Sequence, residues 1–264
     1  MSIGFFEGTH KCSITTTMGL GSHEGGCLSI KMNEYSFIFM VLLYYITTSY
    51  VLNSLLKEAE KINLRALSKE RRREQLIEAT IQCLSKKGLS STTLADVAKE
   101  AGLSQGIVNL HFNSKDNLLA DTLRFLTDEY DERFMKTFYG APADPADQLL
   151  ALMEMDLKPP ICDRSKIAVW FAFFGETKAQ PTYRKICASR DQKYAEILKS
   201  LVEKIVTDGK YIGINPGVIS TTLSSLTDGM WLSCLISPKS FNRTESLLAI
   251  QSYLSSTFPN HYPR

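Results

Sequence analysis

The chain has 264 residues, 44% of them hydrophobic, with 30 Lys/Arg against 28 Asp/Glu and a formal charge of +2. That apolar fraction builds a packed core and argues against a disordered chain. So small a net charge selects no class of partner by itself. Six cysteines, at positions 12, 27, 83, 162, 187 and 234, include no Cys-x-x-Cys pair and are too sparse for a disulfide scaffold, as in a reducing cytosol. No phosphate loop, nucleophile elbow or paired acid/base signature is present, so an enzyme reading has little support.

Residues 1–66 stand apart. His10, Cys12, His23 and Cys27 imitate a zinc set, but their spacing is irregular, so no metal and no cofactor is assigned. Tyr35 to Leu56 carry no charge. At about 1.5 Å per residue a helix of that length crosses a bilayer. Lys57, Lys61 and Arg65 follow it, which would hold the rest of the chain in the cytoplasm. The apolar run starts too late for a secretory signal, and no small-residue cleavage site follows. Two readings stay open: a stretch upstream of the true translation start, which is favoured, and a membrane anchor.

A basic helix comes next. Lys69, Arg71, Arg72 and Arg73 open it, Leu76, Ile77, Thr80, Ile81 and Leu84 share one side, and Lys86-Lys87-Gly88 closes it. The spacing then predicts a short helix from Thr93 to Ala101. Leu94, Val97 and Ala98 form its apolar stripe, and Thr93 with Asp96 forms a capping pair. Gly102 supplies a left-handed turn residue, Leu103 plugs the angle, and Ser104 caps a second helix with Val108 and Phe112 inside. This is a helix-turn-helix. Its second helix exposes Gln105, Gly106, Ile107, Asn109, Leu110 and His111 to a major groove, where Gln105 can pair with adenine and Ile107 can touch a thymine methyl. Gly106 costs about 1 kcal/mol relative to alanine inside a helix, which a close approach of backbone to DNA would explain. Residues 66–120 carry eight Lys/Arg against six Asp/Glu, so placement matters more than total charge. Phosphate contacts are expected from Arg71, Arg72 and Arg73, from Lys115, and from the amides near Thr92 and Thr93.

Downstream, Ser114 caps a long amphipathic helix over 115–139, with Leu118, Leu119, Leu123, Leu126, Tyr130 and Phe134 on its inner side. It could carry information from the body to the reading head. Further helices are expected at 145–156, 164–178, 181–208, 216–236 and 243–257, with Pro145, Pro181 and Pro216 in first turns and Pro159-Pro160 as a break. The fold class is all-α. It comprises a three-helix DNA-binding domain over 67–120 and a helical ligand-binding and dimerisation domain over 121–264, about nine helices in all. The 216–236 segment is apolar on most sides, and 243–257 adds Leu247, Leu248, Ile250 and Leu254. Two such helices from each of two copies would make a four-helix interface in a homodimer.

On these residues the chain resembles the TetR-type regulators. The likeness is carried by Thr93-Leu-Ala-Asp-Val-Ala-Lys-Glu-Ala-Gly-Leu-Ser104 and His111-Phe-Asn-Ser-Lys-Asp-Asn-Leu-Leu119. Further on it resembles their BetI subgroup through Ala168-Val-Trp170-Phe-Ala-Phe173-Phe174, Gln180-Pro181-Thr-Tyr183-Arg184 and Leu226-Thr-Asp228-Gly229-Met-Trp231-Leu232. The resemblance implies a cytoplasmic dimeric repressor of choline and glycine betaine genes, bound to a near-palindromic operator and relieved by choline. Asn109 stands where these regulators usually carry tyrosine, so their operator is not transferred. For choline, Trp170, Phe173, Phe174 and Trp231 are the candidate aromatic cage, with Glu176 or Asp228 as the carboxylate. Loss of choline response in Trp170→Ala, with operator binding kept, would mark a cage; unfolding would mark core. A regulator answering another hydrophobic or cationic ligand, and a membrane-tethered regulator, remain as alternatives.

Overall fold

The computed structural model describes residues 34–263. His10, Cys12, His23 and Cys27 lie outside the described residues. Among the described residues there are nine helices and no strand. The chain divides into two compact units, 1–70 and 71–264. In the first, the helix α1 (Glu34–Ser91) begins, and the described apolar side chains from Ile38 to Leu56 are exposed.

The second unit holds the rest of α1 and eight further helices. Gly88 interrupts α1 with φ 76° and ψ 172°, where the Lys-Lys-Gly stop was expected. The head continues with α2 (Leu94–Glu100) and α3 (Gln105–Phe112). Leu76, Ile77, Ile81, Leu84, Val97, Val108 and Phe112 are all buried in its core. Next comes α4 (Lys115–Gly140), which crosses the 120/121 boundary expected between head and body without a break.

The body packs α4 against α5 (Pro145–Asp156), α6 (Arg164–Glu176) and α7 (Pro181–Asp208), and α7 against α8 (Pro216–Ile236). Helix α9 (Arg243–Thr257) lies on α5 and α8. Capping chemistry sets these starts. Asp144, Asp163, Asn215 and Asn242 each accept two first-turn amides, and proline opens α5, α7 and α8, where its missing N–H costs nothing. Helix α6 ends at Glu176, two residues before the expected limit, because its last turn tightens onto Thr177 N–H donating to the Phe174 carbonyl. On α8, Leu223, Trp231 and Cys234 are buried, while Val218, Leu232 and Ile236 are exposed, as is Leu248 on α9.

Candidate DNA-reading helix and inner cavity

The turn between α2 and α3 is built from backbone hydrogen bonds. Gly102, at φ 64°, lets Leu103 N–H donate to the Ala98 carbonyl at 2.9 Å and Gly102 N–H to the Lys99 carbonyl at 3.2 Å. That paired closure requires a left-handed residue, which glycine adopts without a Cβ penalty. Gln75 Nε2 donates to the Ala101 carbonyl at 2.8 Å and ties α1 to the same turn. At the other end of α2 the capping box is complete. Thr93 Oγ1 accepts from Asp96 N–H at 3.1 Å, and Asp96 accepts from Thr93 N–H at 3.0 Å. Lys87 Nζ donates to the same carboxylate at 2.6 Å, and these bonds, Lys87's first, hold the Asp96 pKa down to about 2.

The expected reading residues divide into three groups. Ser104, Gln105, Gly106, Asn109 and Leu110 are exposed on α3, Leu110 strongly so at 71%. Ile107 and His111 are half-buried, and Ile107 packs on the head core, so neither stands fully clear of it as the periodicity suggested. Ser104 occupies the cap position of α3, but its side chain makes no cap bond. Nothing inside the chain demands glycine at 106. A Cβ there would meet only Ser104 Oγ, at 3.8 Å.

Among the expected phosphate contacts, Arg71 and Arg72 are exposed. Arg73 is occupied inside the head, bridging to Asp121 at 3.1 Å with its guanidinium carbon 5.9 Å from the Phe112 ring centroid. Lys115 Nζ donates to the carbonyls of Leu89 and Ser90 at 2.8 and 3.3 Å, so it clamps the end of α1 to the start of α4. Thr92 is buried with its hydroxyl on the Gly88 carbonyl, and the Thr93 amide is spent on Asp96. The anion-binding amides this helix start can offer are those of Leu94 and Ala95, one and two residues further on.

In the body, α4, α5, α7 and α8 line a cavity of about 260 Å³ that is open to solvent on the side of the exposed Asp191 and Asp228. Four aromatic side chains wall it: Tyr130, Phe134, Tyr194 and Trp231. They form a connected set, with Tyr130–Tyr194 centroids 4.7 Å apart, Phe134–Tyr194 4.3 Å and Tyr130–Trp231 6.2 Å. Three carboxylates, Asp156, Asp191 and Asp228, face one guanidinium, Arg190. Asp156 is buried and accepts from Tyr130 Oη at 2.5 Å, and its backbone carbonyl accepts from Trp231 Nε1 at 2.7 Å. Burial pushes the Asp156 carboxyl up to about 7, against the lowering hydrogen bond of Tyr130 and the charge of Arg190.

Arg190 is only 9% exposed. Its Nε and Nη2 donate to Asp191 Oδ1 at 2.9 and 2.6 Å, and its guanidinium carbon lies 4.4 Å from the Trp170 ring centroid, 5.2 Å from Tyr130 and 5.6 Å from Phe174. Its third nitrogen, Nη1, is buried with no acceptor among the described residues. A buried donor left so costs about 1–3 kcal/mol.

Of the side chains expected around a ligand, Asp228 and Trp231 line this cavity, and Trp170, Phe173, Phe174 and Glu176 do not. Trp170 and Phe174 already hold a resident cation, Arg190. Phe173 is fully buried against Tyr183, with ring centroids 4.9 Å apart. Glu176 is half-buried near the C-terminus of α6. Periodicity missed Tyr130, Phe134, Asp156, Arg190, Asp191 and Tyr194. One signal was available: Asp156 is an acid ending an otherwise apolar run, Leu149 to Met155, broken only by Glu154.

A helix-turn-helix head joined by one continuous helix to an all-helical body with an inner cavity defines a ligand-responsive transcription regulator. Residues 76–122 match the family of bacterial regulatory proteins, tetR family, and residues 145–259 match the BetI-type transcriptional repressor C-terminal domain. The HTH-type transcriptional regulator BetI of Stenotrophomonas maltophilia is 29% identical over 183 residues, 69% of this chain and 91% of that protein. Its counterpart in Yersinia pestis is 28% identical over 185 residues, 69% and 90%. Among solved structures, a transcriptional regulator from Pseudomonas aeruginosa superposes with TM-score 0.64 at 23% identity, covering 73% of this chain and 93% of that one. A regulator from Saccharomonospora viridis, crystallised in complex with choline, gives TM-score 0.64 at 20% identity, with coverage of 70% and 96%. The chain belongs to the TetR family of transcriptional regulators, with a BetI-type C-terminal domain; it is a DNA-binding protein and not an enzyme.

Proposed function

We propose that this protein is a dimeric, cytoplasmic repressor whose effector is a small organic cation, choline foremost, and whose targets are choline and glycine betaine genes. The observation that carries the reading is the cavity wall. Four aromatic side chains and three carboxylates against one guanidinium make a site for a compact positive charge. The choline carried by the structurally similar Saccharomonospora viridis regulator supports the same class of ligand. A cavity of about 260 Å³ suits a small ligand better than a steroid or a long acyl chain.

In the repressing state the two α3 helices of a dimer sit about 34–36 Å apart, one turn of B-DNA, over a near-palindrome. Gln105, Gly106, Asn109 and Leu110 face the bases, and Arg71, Arg72 and the first amides of α2 face phosphate. The exposed apolar side chains of α8 and α9, Val218, Leu232, Ile236 and Leu248, are the surface through which the copies pair. Helix α4 runs from the head to the cavity, where Tyr130 is bonded to Asp156. A cation that draws Asp156 toward itself loosens that bond and so biases the position of α4. The ligand shifts the equilibrium only by its differential affinity for the two states.

Isothermal titration of choline into the full chain tests the effector, with one site per subunit expected. Absence of binding removes the choline assignment and leaves the DNA-binding one standing. Adjacent choline or aldehyde dehydrogenase genes would support the targets.

A second reading rests on the first unit. Its helix exposes Leu42, Leu43, Ile46, Leu52 and Leu55 and is long and apolar enough to cross a membrane. Recovery of a 29.6 kDa chain in the membrane fraction of its native host would establish a tether. Recovery outside that fraction would remove it.

A further inference from the structure

The open side of α3 carries two rows of exposed residues. Gln105 and Asn109 stand one turn apart as a polar row, and Gly106 and Leu110 stand one turn apart beside them. Val108 and Phe112 are buried, and Ile107 packs on the head core. Leu110, at 71%, is therefore the one large apolar side chain left exposed among the described residues of α3. A single exposed leucine is ordinary on a protein surface. A second observation stands one turn before it. Gly106 weakens the helix relative to alanine, yet a Cβ there would meet only Ser104 Oγ, at 3.8 Å. No side-chain atom of Leu110 falls within 4 Å of that position, so the surface between the two residues is open. A helical side chain leans toward the N-terminus, over the residue four before it. Leu110 thus walls one side of a notch whose floor is the bare backbone at Gly106.

We propose that Gly106 and Leu110 form a reading notch for the C5-methyl group of a thymine, which makes Leu110 a specificity-determining residue for the operator. This rests on α3 being the helix that enters the major groove. In that groove the thymine methyl is the apolar group that base pairs display. It suits a floor without a side chain and a wall of leucine methyls. Cytosine presents an amino donor at the same edge, and leucine offers it no acceptor. The half-burial of Ile107 moves the methyl contact expected of that residue to Leu110. The glycine then has a purpose outside the chain, because any Cβ at 106 would stand where the methyl enters.

The test starts from a duplex selected out of randomised DNA by the full chain. Each thymine is replaced in turn by deoxyuridine, which removes the methyl alone, and binding is followed by fluorescence anisotropy at fixed salt. One thymine in each half-site is expected to matter: its uracil version should bind the natural chain about fourfold more weakly, the worth of one buried methyl. Leu110→Ala should bind the thymine and uracil duplexes within about 1.5-fold of each other. Gly106→Ala, with its Cβ in the notch, should narrow the gap at least about twofold, and it carries the test alone if Leu110→Ala does not fold. Absence of any thymine whose methyl matters to the natural chain overturns the proposal. A gap retained in full by the folded variant overturns it too. So does a Leu110→Ala chain that binds every duplex more weakly by the same factor, with thymine or with uracil, since that places Leu110 against the sugar–phosphate backbone. A chain that selects no duplex removes α3 as a reading helix, and the proposal with it.

Discussion

The reading head and the inner cavity are built on different scales. The cap and turn of the head rest on contacts short in sequence, Thr93 with Asp96, Leu103 with Ala98 and Gly102 with Lys99, with Gln75 and Lys115 tying them to α1 and α4. The cavity joins residues far apart, Tyr130 with Asp156 and Trp231 with Asp156, from three different helices. The head is thus specified by local backbone chemistry and the cavity by packing. A substitution in the head should change operator binding through one turn of helix. One in the cavity should change ligand response through several helices at once.

The largest expected effect separates core from site. Trp170 is 3% exposed and supports Arg190, so Trp170→Ala should destabilise the body by about 3–5 kcal/mol, read as a large fall in the denaturation midpoint. A stable Trp170→Ala protein that binds operator and has lost only its choline response would restore the cage first inferred from the Trp170, Phe173 and Phe174 stripe.

Next comes the cavity carboxylate. Asp156 is held up to about 7, facing Tyr130 from α4, Arg190 from α7 and Thr227 and Asp228 from α8. Its raised value contributes stability that is fully present below the unfolded carboxylate pKa of about 4 and is lost as pH rises through about 7. A bound cation favours the ionised form, so choline binding should release a proton, and its affinity should rise by about tenfold between pH 6 and 8. Asp156→Asn should weaken choline binding at pH 8 by at least about tenfold and flatten this profile, with operator affinity changed less than about twofold. A calorimetric pH series that rises equally for the natural chain and for Asp156→Asn would place the proton elsewhere.

In the head, Thr93→Ala removes a side chain from the complete capping box and should cost about 1 kcal/mol. The smallest effect has the most diagnostic sign. Gly106→Ala should stabilise the apo protein by up to about 1 kcal/mol, because alanine is the better helix former and the Cβ meets nothing closer than 3.8 Å. It should at the same time weaken operator binding. Unchanged operator affinity would show that the backbone of α3 does not approach DNA closely there.

The same difference of scale decides how much could be read from residues alone. Helix limits at Lys115, Pro145, Pro181, Pro216 and Arg243 follow from caps and prolines one or two residues away, and the α2–α3 turn from Gly102. The cavity was only partly legible. Tyr130 and Phe134 lie on the inner side of α4, where periodicity cannot distinguish a cavity wall from solid core. Arg190 looks like any solvated cation until Trp170, Tyr130 and Phe174 are seen around it. Lys115 and Arg73, read as phosphate ligands near a reading helix, also carry bonds within the chain, to the Leu89 carbonyl and to Asp121, that no local pattern announces.

The central claim is that a cation held at Asp156 frees α3 from its operator through α4. The most direct test follows fluorescence anisotropy of labelled upstream DNA bound by the full chain, with choline titrated in at fixed salt and Asp156→Asn run beside the natural protein. Choline should release DNA from the natural protein, and the dose curve of the variant should be displaced by at least about tenfold. Tight operator binding that choline never disturbs, or release of both proteins at the same dose, would contradict it.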